Sequence, residues 1–142
     1  MKRFTYIGLV PCDPAELAAH FLDPDTAPGI WPELGQRSVL RAGTGWSEMA
    51  TSELDGGEGR QVRFRVLRPT EIIVASAGAK PGAWALHRFL PAEGGCMWVI
   101  EHFERRRPGE SWSRFTRRRR AAALAAERLV DGAAGYFSAR RP

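Results

Sequence analysis

The sequence predicts an α+β fold in which a curved antiparallel sheet of seven strands holds one long C-terminal helix. Two observations carry this prediction. From residue 36 to about 106, apolar and polar residues alternate with the period of two that is typical of strands. From about 110 to 138, apolar residues recur three and four positions apart, which places them on one face of a helix. A sheet that bends around this helix buries the apolar faces of both.

The N-terminal part of the chain predicts one strand followed by two short helices. Residues 3–10 alternate and are rich in β-forming side chains, so they predict the first strand. Asp13 then suits the N-cap of a helix, with Pro14 at its first position and Glu16 at its third. A second short helix is predicted over about 28–34.

Six strands are predicted between the short helices and the long helix. The clearest alternation places Val62, Phe64 and Val66 on one side of a strand and arginines on the other. Glycine and proline fall in the gaps between strands, where hairpin turns need them. The order is therefore strand, two helices, six strands and the long helix, in a single ligand-binding domain over residues 1–142. The six strands are predicted at 36–42, 45–54, 60–68, 70–78, 82–91 and 95–106.

The positive charge of the chain is concentrated in one segment. The formal net charge is +5, and residues 104–120 carry eight arginines against two acidic residues. Such a segment would suit nucleic acid or an acidic partner, but no nucleic-acid-binding motif accompanies it. Since 19 of the 21 basic residues of the whole chain are arginine, Arg105–Arg120 is interpreted as a solvated helix face. No nucleic-acid partner is expected.

Several functional classes are disfavoured because their motifs are missing from the sequence. No apolar run reaches the roughly 18 residues that a membrane helix needs, so a cytoplasmic protein without a membrane span is expected. Cys12 and Cys96 lie far apart and are expected to be small buried thiols rather than a disulfide. The sequence has no nucleotide-binding loop, nucleophile elbow or metal-ligand spacing. Any catalysis is therefore expected to use neither a cofactor nor a metal.

Several parts of the chain carry a resemblance to a known superfamily. The segment Val10–Leu17 is similar to the first strand-to-helix junction of that superfamily. Pro28–Glu33 is similar to a Y-P-x-x-F-P-E stretch of one of its groups, with Ala27 in place of the tyrosine. In this order they resemble the START/Bet v1-like (SRPBCC) superfamily, the polyketide cyclase/dehydrase group, and within it the aromatic-polyketide aromatase/cyclases. Further similarities to these cyclases lie at Pro81–Trp84, Phe89, Met97, Phe103, Pro108 and Trp112.

The resemblance implies a helix-grip fold with an internal cavity for a hydrophobic small molecule such as a polyketide. The implied activity is that of a cofactor-independent aromatase/cyclase, a dehydratase-type lyase that positions its substrate and assists by acid–base chemistry. Two alternatives remain open. One is a non-catalytic carrier of a lipid or natural product, and the other is a chaperone-interaction module resembling the activator of Hsp90 ATPase. Both a monomer and a homodimer are compatible with the sequence.

The last hairpin predicts which polar side chains share a face of the sheet. If its two consecutive glycines form the turn, His87 faces His102 and Arg88 faces Glu101, on opposite faces. Two histidines in an apolar pocket are candidates for a general acid and base. An Arg–Glu pair would instead polarise a ketone or anchor a carboxylate. Because the second face carries more apolar bulk, Arg88 and Glu101 are predicted to line the cavity, with the histidines as the alternative.

Two more polar residues and a set of apolar ones complete the predicted site. Arg119 lies in the apolar stripe of the long helix, where a guanidinium would bind a carboxylate, phosphate or enolate unless it extends past the stripe to solvent. Tyr6 would donate its hydroxyl into the pocket or pack in the core. The predicted ligand-binding residues are Trp31, Phe64, Trp84, Leu86, Met97, Val99, Phe103 and Phe115.

Overall fold

The predicted architecture is confirmed in the structure, a computed structural model that describes residues 2–32, 37–51, 60–76 and 83–140. The parts of the predicted elements at 33–36, 52–59 and 77–82 lie outside the described residues. The strands are β1 (Lys2–Val10), β2 (Arg37–Gly43), β3 (Trp46–Thr51), β4 (Arg60–Arg68), β5 (Glu71–Ser76), β6 (Ala83–Ala92) and β7 (Gly95–Glu104). The helices are α1 (Pro14–Leu22), α2 (Ala27–Ile30) and α3 (Trp112–Ala139).

The seven strands form one antiparallel sheet in the order β1-β7-β6-β5-β4-β3-β2. Strands that follow one another from β2 to β7 are neighbours, and β1 pairs with β7 over its whole length. The register shifts between Val39 and Arg41 in β2 and between Val66 and Arg68 in β4. Such irregularities increase the twist and bend of a strand, so they help the sheet to curve.

The first helix begins as the sequence predicts. The Asp13 side chain accepts hydrogen bonds from the backbone N–H groups of Ala15 (3.1 Å) and Glu16 (3.2 Å), which satisfies two donors that the helix leaves free. The opposite face of α1 is apolar, and its Leu17 and Phe21 are buried. The helix therefore places the Phe21 ring against the inner face of the sheet.

The long helix begins two residues later than predicted, because Ser111 caps it. The Ser111 hydroxyl accepts a hydrogen bond from the backbone N–H of Arg114 at 3.3 Å. Arg118 is held by ion pairs to Glu104 and Glu110. The other arginines of the segment are exposed except Arg119, as expected for a solvated helix face. Across the described ranges, no helix combines the length and the apolar character needed to cross a membrane.

The sheet-facing stripe of α3 packs along β1 and β7, at one edge of the sheet. Its buried side chains are Phe115, Ala126, Val130 and Ala133. The close approach depends on Gly8 of β1, because a Cβ atom built there would overlap Cγ1 of Val130. Glycine at this position thus sets the distance between the helix and the sheet.

A Gly8→Ala substitution is expected to destabilise the protein by about 1–3 kcal/mol, because the added methyl group forces α3 or Val130 to move. The matched control is Gly135→Ala, where a Cβ meets no heavy atom within 4 Å. Alanine there should stabilise the helix by up to about 1 kcal/mol. Urea unfolding followed by circular dichroism measures both. Equal stability of Gly8→Ala and the unchanged protein would contradict this packing of α3.

The interior is tightly packed at the end of the sheet covered by α1 and α2. The Phe21 ring lies at the centre of this packing, with ring centroids 4.7–6.0 Å away. Its ring neighbours are Trp31, Phe64, His87, Phe89 and Trp98. Trp31 is fully buried and donates its indole N–H to the backbone carbonyl of Leu129 at 2.7 Å. A predicted ligand-binding residue thus joins α2 to α3 in the core.

The two cysteines are free and buried, which confirms the prediction made for them. Burial is the main cause that raises the pKa of Cys12 to about 12 and that of Cys96 to about 11. Both groups therefore remain protonated thiols near neutral pH, and they act as small apolar side chains.

Candidate functional site

The last hairpin turns one residue earlier than predicted but keeps the predicted faces. Ala92 pairs with Gly95, so the turn consists of Glu93 and Gly94. The predicted and observed registers differ by an even number of positions, so every side chain keeps its side of the sheet. His87 and His102 therefore share one face as diagonal neighbours, and Arg88 and Glu101 share the other.

The prediction that Arg88 and Glu101 line the cavity is wrong. They lie on the outer face, where Arg88 binds Glu101 at 2.9 Å and Glu71 at 3.3 Å. The inner face carries His87, which is 3% exposed. Five predicted ligand-binding residues also lie on the outer face, so their assignment to the cavity is wrong as well: Trp84, Leu86, Met97, Val99 and Phe103.

The prediction compared the apolar bulk of the two faces within the hairpin strands alone. Neighbouring strands add Phe64 and Ile72 to the histidine face, and α1 adds Phe21. These large buried side chains reverse the balance of apolar bulk between the faces. On the outer face, Trp84 and Phe103 stack on each other at a centroid distance of 4.0 Å and so cover part of their own surface.

The inner face is less completely covered at the end of the sheet where α3 begins. Here Phe4, Val62, Val74 and His102 are only partly buried, although all point inward. The helix lies over β1 and β7, and its stripe at this level is made of short alanines after Arg119. We call the space between these four inner-face residues and the stripe of α3 the inner cleft.

A carboxylate holds His102 in the inner cleft. His102 Nε2 lies 2.9 Å from Oε1 of Glu104, and the other Glu104 oxygen accepts a hydrogen bond from Arg118. The imidazole also stacks on the Phe4 ring at a centroid distance of 4.9 Å. Because Nε2–H donates to the carboxylate, the neutral ring keeps its lone pair on Nδ1. This arrangement is that of an oriented general base.

Sequence reasoning missed Glu104 as a site residue, because it considered this acidic residue only in the charge balance of residues 104–120. Its side chain is 4% exposed, and it follows His102 by two positions in β7. Since side chains two positions apart in a strand share a face, this spacing was the signal that pairs them.

Arg119 lies on the sheet-facing stripe of α3, as its helical position predicts. Its Nε atom is buried and has no hydrogen-bond partner among the described residues. The guanidinium carbon lies 5.8 Å from the Phe115 ring centroid. Leaving a buried donor unsatisfied costs about 1–3 kcal/mol. A ligand with an acceptor oxygen would remove that cost.

A second interior cation, Arg37 of β2, was missed. It donates a hydrogen bond from Nη1 to the backbone carbonyl of Phe21 at 2.6 Å. Its guanidinium carbon also lies 5.6 Å from the Phe21 ring centroid and 5.3 Å from that of Phe64. Burial lowers the pKa of Arg37 to about 10, so the group stays charged at neutral pH. The sequence signal was its spacing of two positions from Val39, which places both side chains on the inner face of the strand.

His87 is a neutral hydrogen-bonding residue in the packed end. Its Nδ1 accepts the indole N–H of Trp98 at 3.1 Å. Burial lowers the pKa of His87 to about 3, and the electrostatic effects of the neighbouring His102 and Arg37 act in the same direction. With Nδ1 engaged and the ring neutral, His87 is placed to donate through Nε2–H rather than to accept a proton.

The unfolding free energy is expected to fall as the pH drops below about 6.5, because the unfolded chain then protonates His87 and the folded protein does not. One such group contributes a slope of at most about 1.4 kcal/mol per pH unit. This contribution ends near the pKa that His87 has in the folded protein. Chemical unfolding at pH 4 to 7 measures it. A His87→Asn variant, which keeps an acceptor for Trp98, should show a flatter slope. The same slope in both proteins would contradict this assignment.

The remaining predicted residues lie on the inner side, with their roles still predictions. Phe64 and Phe115 are buried, at 2% and 3% exposure. Tyr6 is partly buried beneath α3, and its pKa is raised by burial and by the charges of Asp131 and Glu127. Its hydroxyl is thus close to acidic side chains of the helix.

Comparison with known proteins gives matches in structure alone. No family model matches the chain, and no curated protein matches it in sequence. Among solved structures, the di-domain ARO/CYC protein BexL of the BE-7585A biosynthetic pathway matches 97% of this chain with a TM-score of 0.78 and 15% identity. Ara h 8.0201 matches 97% of this chain and 98% of its own, with a TM-score of 0.67 and 11% identity. The chain has the Bet v1-like helix-grip fold.

Another Bet v1-like match is the di-domain ARO/CYC protein StfQ of the steffimycin biosynthetic pathway. It covers 97% of this chain with a TM-score of 0.73 and 14% identity. The chain spans about half of each di-domain protein, 51% of StfQ and 47% of BexL. At these identities the likeness establishes the Bet v1-like fold alone.

Proposed function

We propose that the protein binds a hydrophobic, polyketide-like molecule in the inner cleft and acts on it as a cofactor-independent aromatase/cyclase. One observation carries the proposal: an oriented base and a cation with no ion-pair partner among the described residues belong to the same end of the interior. Glu104 holds His102, Arg118 holds the same carboxylate, and Arg119 is the next residue in the helix. The ARO/CYC class of StfQ and BexL supports the same reaction type.

The proposed chemistry needs only proton transfers and the loss of water. His102 Nδ1 takes a proton from the carbon between two carbonyl groups, which leaves an enolate. Arg119 stabilises the negative charge on the enolate oxygen. The enolate carbon forms a bond to the carbon of a further carbonyl group along the ligand, whose C=O π bond breaks and whose oxygen takes the proton back from His102. Loss of one water molecule then gives the conjugated ring. No electrons are gained or lost overall.

The test uses 2-tetralone, a bicyclic ketone with exchangeable α-protons, in heavy water. Proton NMR measures exchange in the presence of the protein and in buffer alone. Accelerated exchange with saturable binding supports the enzyme. Binding without acceleration would overturn the enzymatic part and favour a non-catalytic carrier. Absence of binding to 2-tetralone and to longer aromatic ketones would overturn the proposal and favour a protein-interaction module.

A further inference from the structure

We infer that the ligand of the inner cleft carries a negative charge, so that the site selects a planar aromatic carboxylate or enolate over its neutral analogue. This inference rests on the proposed function, since it names the chemical class of molecule that the same interior takes. The observations that carry it are two interior guanidinium groups, Arg37 and Arg119, neither of which has a carboxylate partner among the residues that the structure describes.

The two interior arginines lack counter-charges within the part of the chain that the structure describes. Within the described ranges, neither Arg37 nor Arg119 forms an ion pair, whereas Arg41, Arg63 and Arg88 on the outer face all do. The described inner-face carboxylate of the sheet, Glu104, is already bound by Arg118 and His102. Among the described residues, these three outer-face arginines are paired and the two interior ones are not.

Burial of the two guanidinium groups has an energetic cost. A guanidinium taken out of water loses hydration that only an anion or several acceptors can replace. Among the described residues, Arg37 has one carbonyl acceptor and two aromatic faces, and the buried Nε of Arg119 has no acceptor. A carboxylate or enolate oxygen would supply a charge-assisted hydrogen bond in this low-dielectric site.

The surface around the inner cleft fits an aromatic anion rather than a free inorganic one. The cleft is bounded by the Phe4 ring and by Val62 and Val74, and Phe115 lies beneath Arg119. Planar apolar groups lose their hydration favourably against such walls. The exposed arginines near the start of α3 have no comparable enclosure, so they should show no preference that survives salt.

The experiment compares 2-naphthoate with 2-naphthamide, which have the same shape and differ in charge. Isothermal titration of the full chain is expected to give at least a ten-fold lower Kd for the carboxylate, and the preference should persist at 0.5 M NaCl. Arg119→Met should reduce it to less than three-fold. The matched control, Arg120→Met, removes an exposed arginine of the same helix and should keep the full preference. Arg37→Met provides a second interior variant if Arg119→Met unfolds.

Each outcome separates this inference from the proposed function. Equal affinity for the amide and the carboxylate would overturn the inference and leave a neutral ligand site intact. A preference lost equally in Arg120→Met, or abolished by salt, would assign it to the surface and overturn the inference too. Absence of binding by both compounds while 2-tetralone binds would overturn the inference, and absence of binding by 2-tetralone as well would overturn the proposed function itself.

Discussion

Replacing His102 with glutamine is expected to lower the protein-catalysed exchange of 2-tetralone protons by roughly 100-fold or more. The reason is that Nδ1 of His102 is the base that Glu104 orients in the inner cleft, and general-base assistance typically contributes about 10²–10⁴-fold. NMR exchange rates at saturating ketone measure the loss. The Kd of 2-tetralone should change little, because the imidazole acts on the proton rather than on the rings.

The control for this variant is Arg88→Gln, which removes a polar residue from the opposite face of the same hairpin. It should exchange at the unchanged rate, because Arg88 contacts Glu71 and Glu101 on the outer face. A Glu104→Gln variant should slow exchange while keeping the Kd, since the amide no longer fixes the tautomer. Full activity of His102→Gln, or a large loss in Arg88→Gln, would refute the assignment of the base.

Replacing Arg118 with methionine is expected to destabilise the protein by roughly 3 kcal/mol. The substitution leaves the 4%-exposed Glu104 side chain without its guanidinium partner, and an unpaired buried charge is costly. Arg118 also holds Glu110 at 2.8 Å, so the loop before α3 should loosen at the same time. Urea unfolding at pH 7 gives the difference in free energy.

Arg88→Met is the matched comparison for Arg118→Met. It also breaks two ion pairs, here on the outer face, where the Arg88 side chain is 39% exposed. Partly exposed pairs contribute at most about 1 kcal/mol, so its effect should be small. If both variants lose the same stability, Glu104 is not the buried anchor that the interior requires.

The element order could be predicted from the sequence because its signals are local. The Asp13 cap, the alternation around Phe64 and the apolar stripe of the last helix each depend on residues a few positions apart. These patterns identify strands, helices and the side of a strand on which a residue lies. Even a turn displaced by one residue left the faces of the last hairpin unchanged.

The site was less predictable because it depends on contacts between distant residues. Which face of β6 and β7 is inner is decided by Phe21, Phe64 and Ile72, which come from other elements. The partner of His102 lies two positions away, but its burial depends on Arg118 of the helix. Arg119 was identified because a charge in an apolar stripe is visible in the sequence itself.

The most direct test of the central claim is a titration of the isotope-labelled protein with 2-tetralone, followed by the side-chain nitrogen resonances of His102 and Trp84. These residues lie on opposite faces of the same hairpin. Binding in the inner cleft should shift the His102 imidazole signals in a saturable way and leave the Trp84 indole signal in place. A saturable shift of Trp84 with His102 unchanged would contradict a ligand site between the sheet and α3.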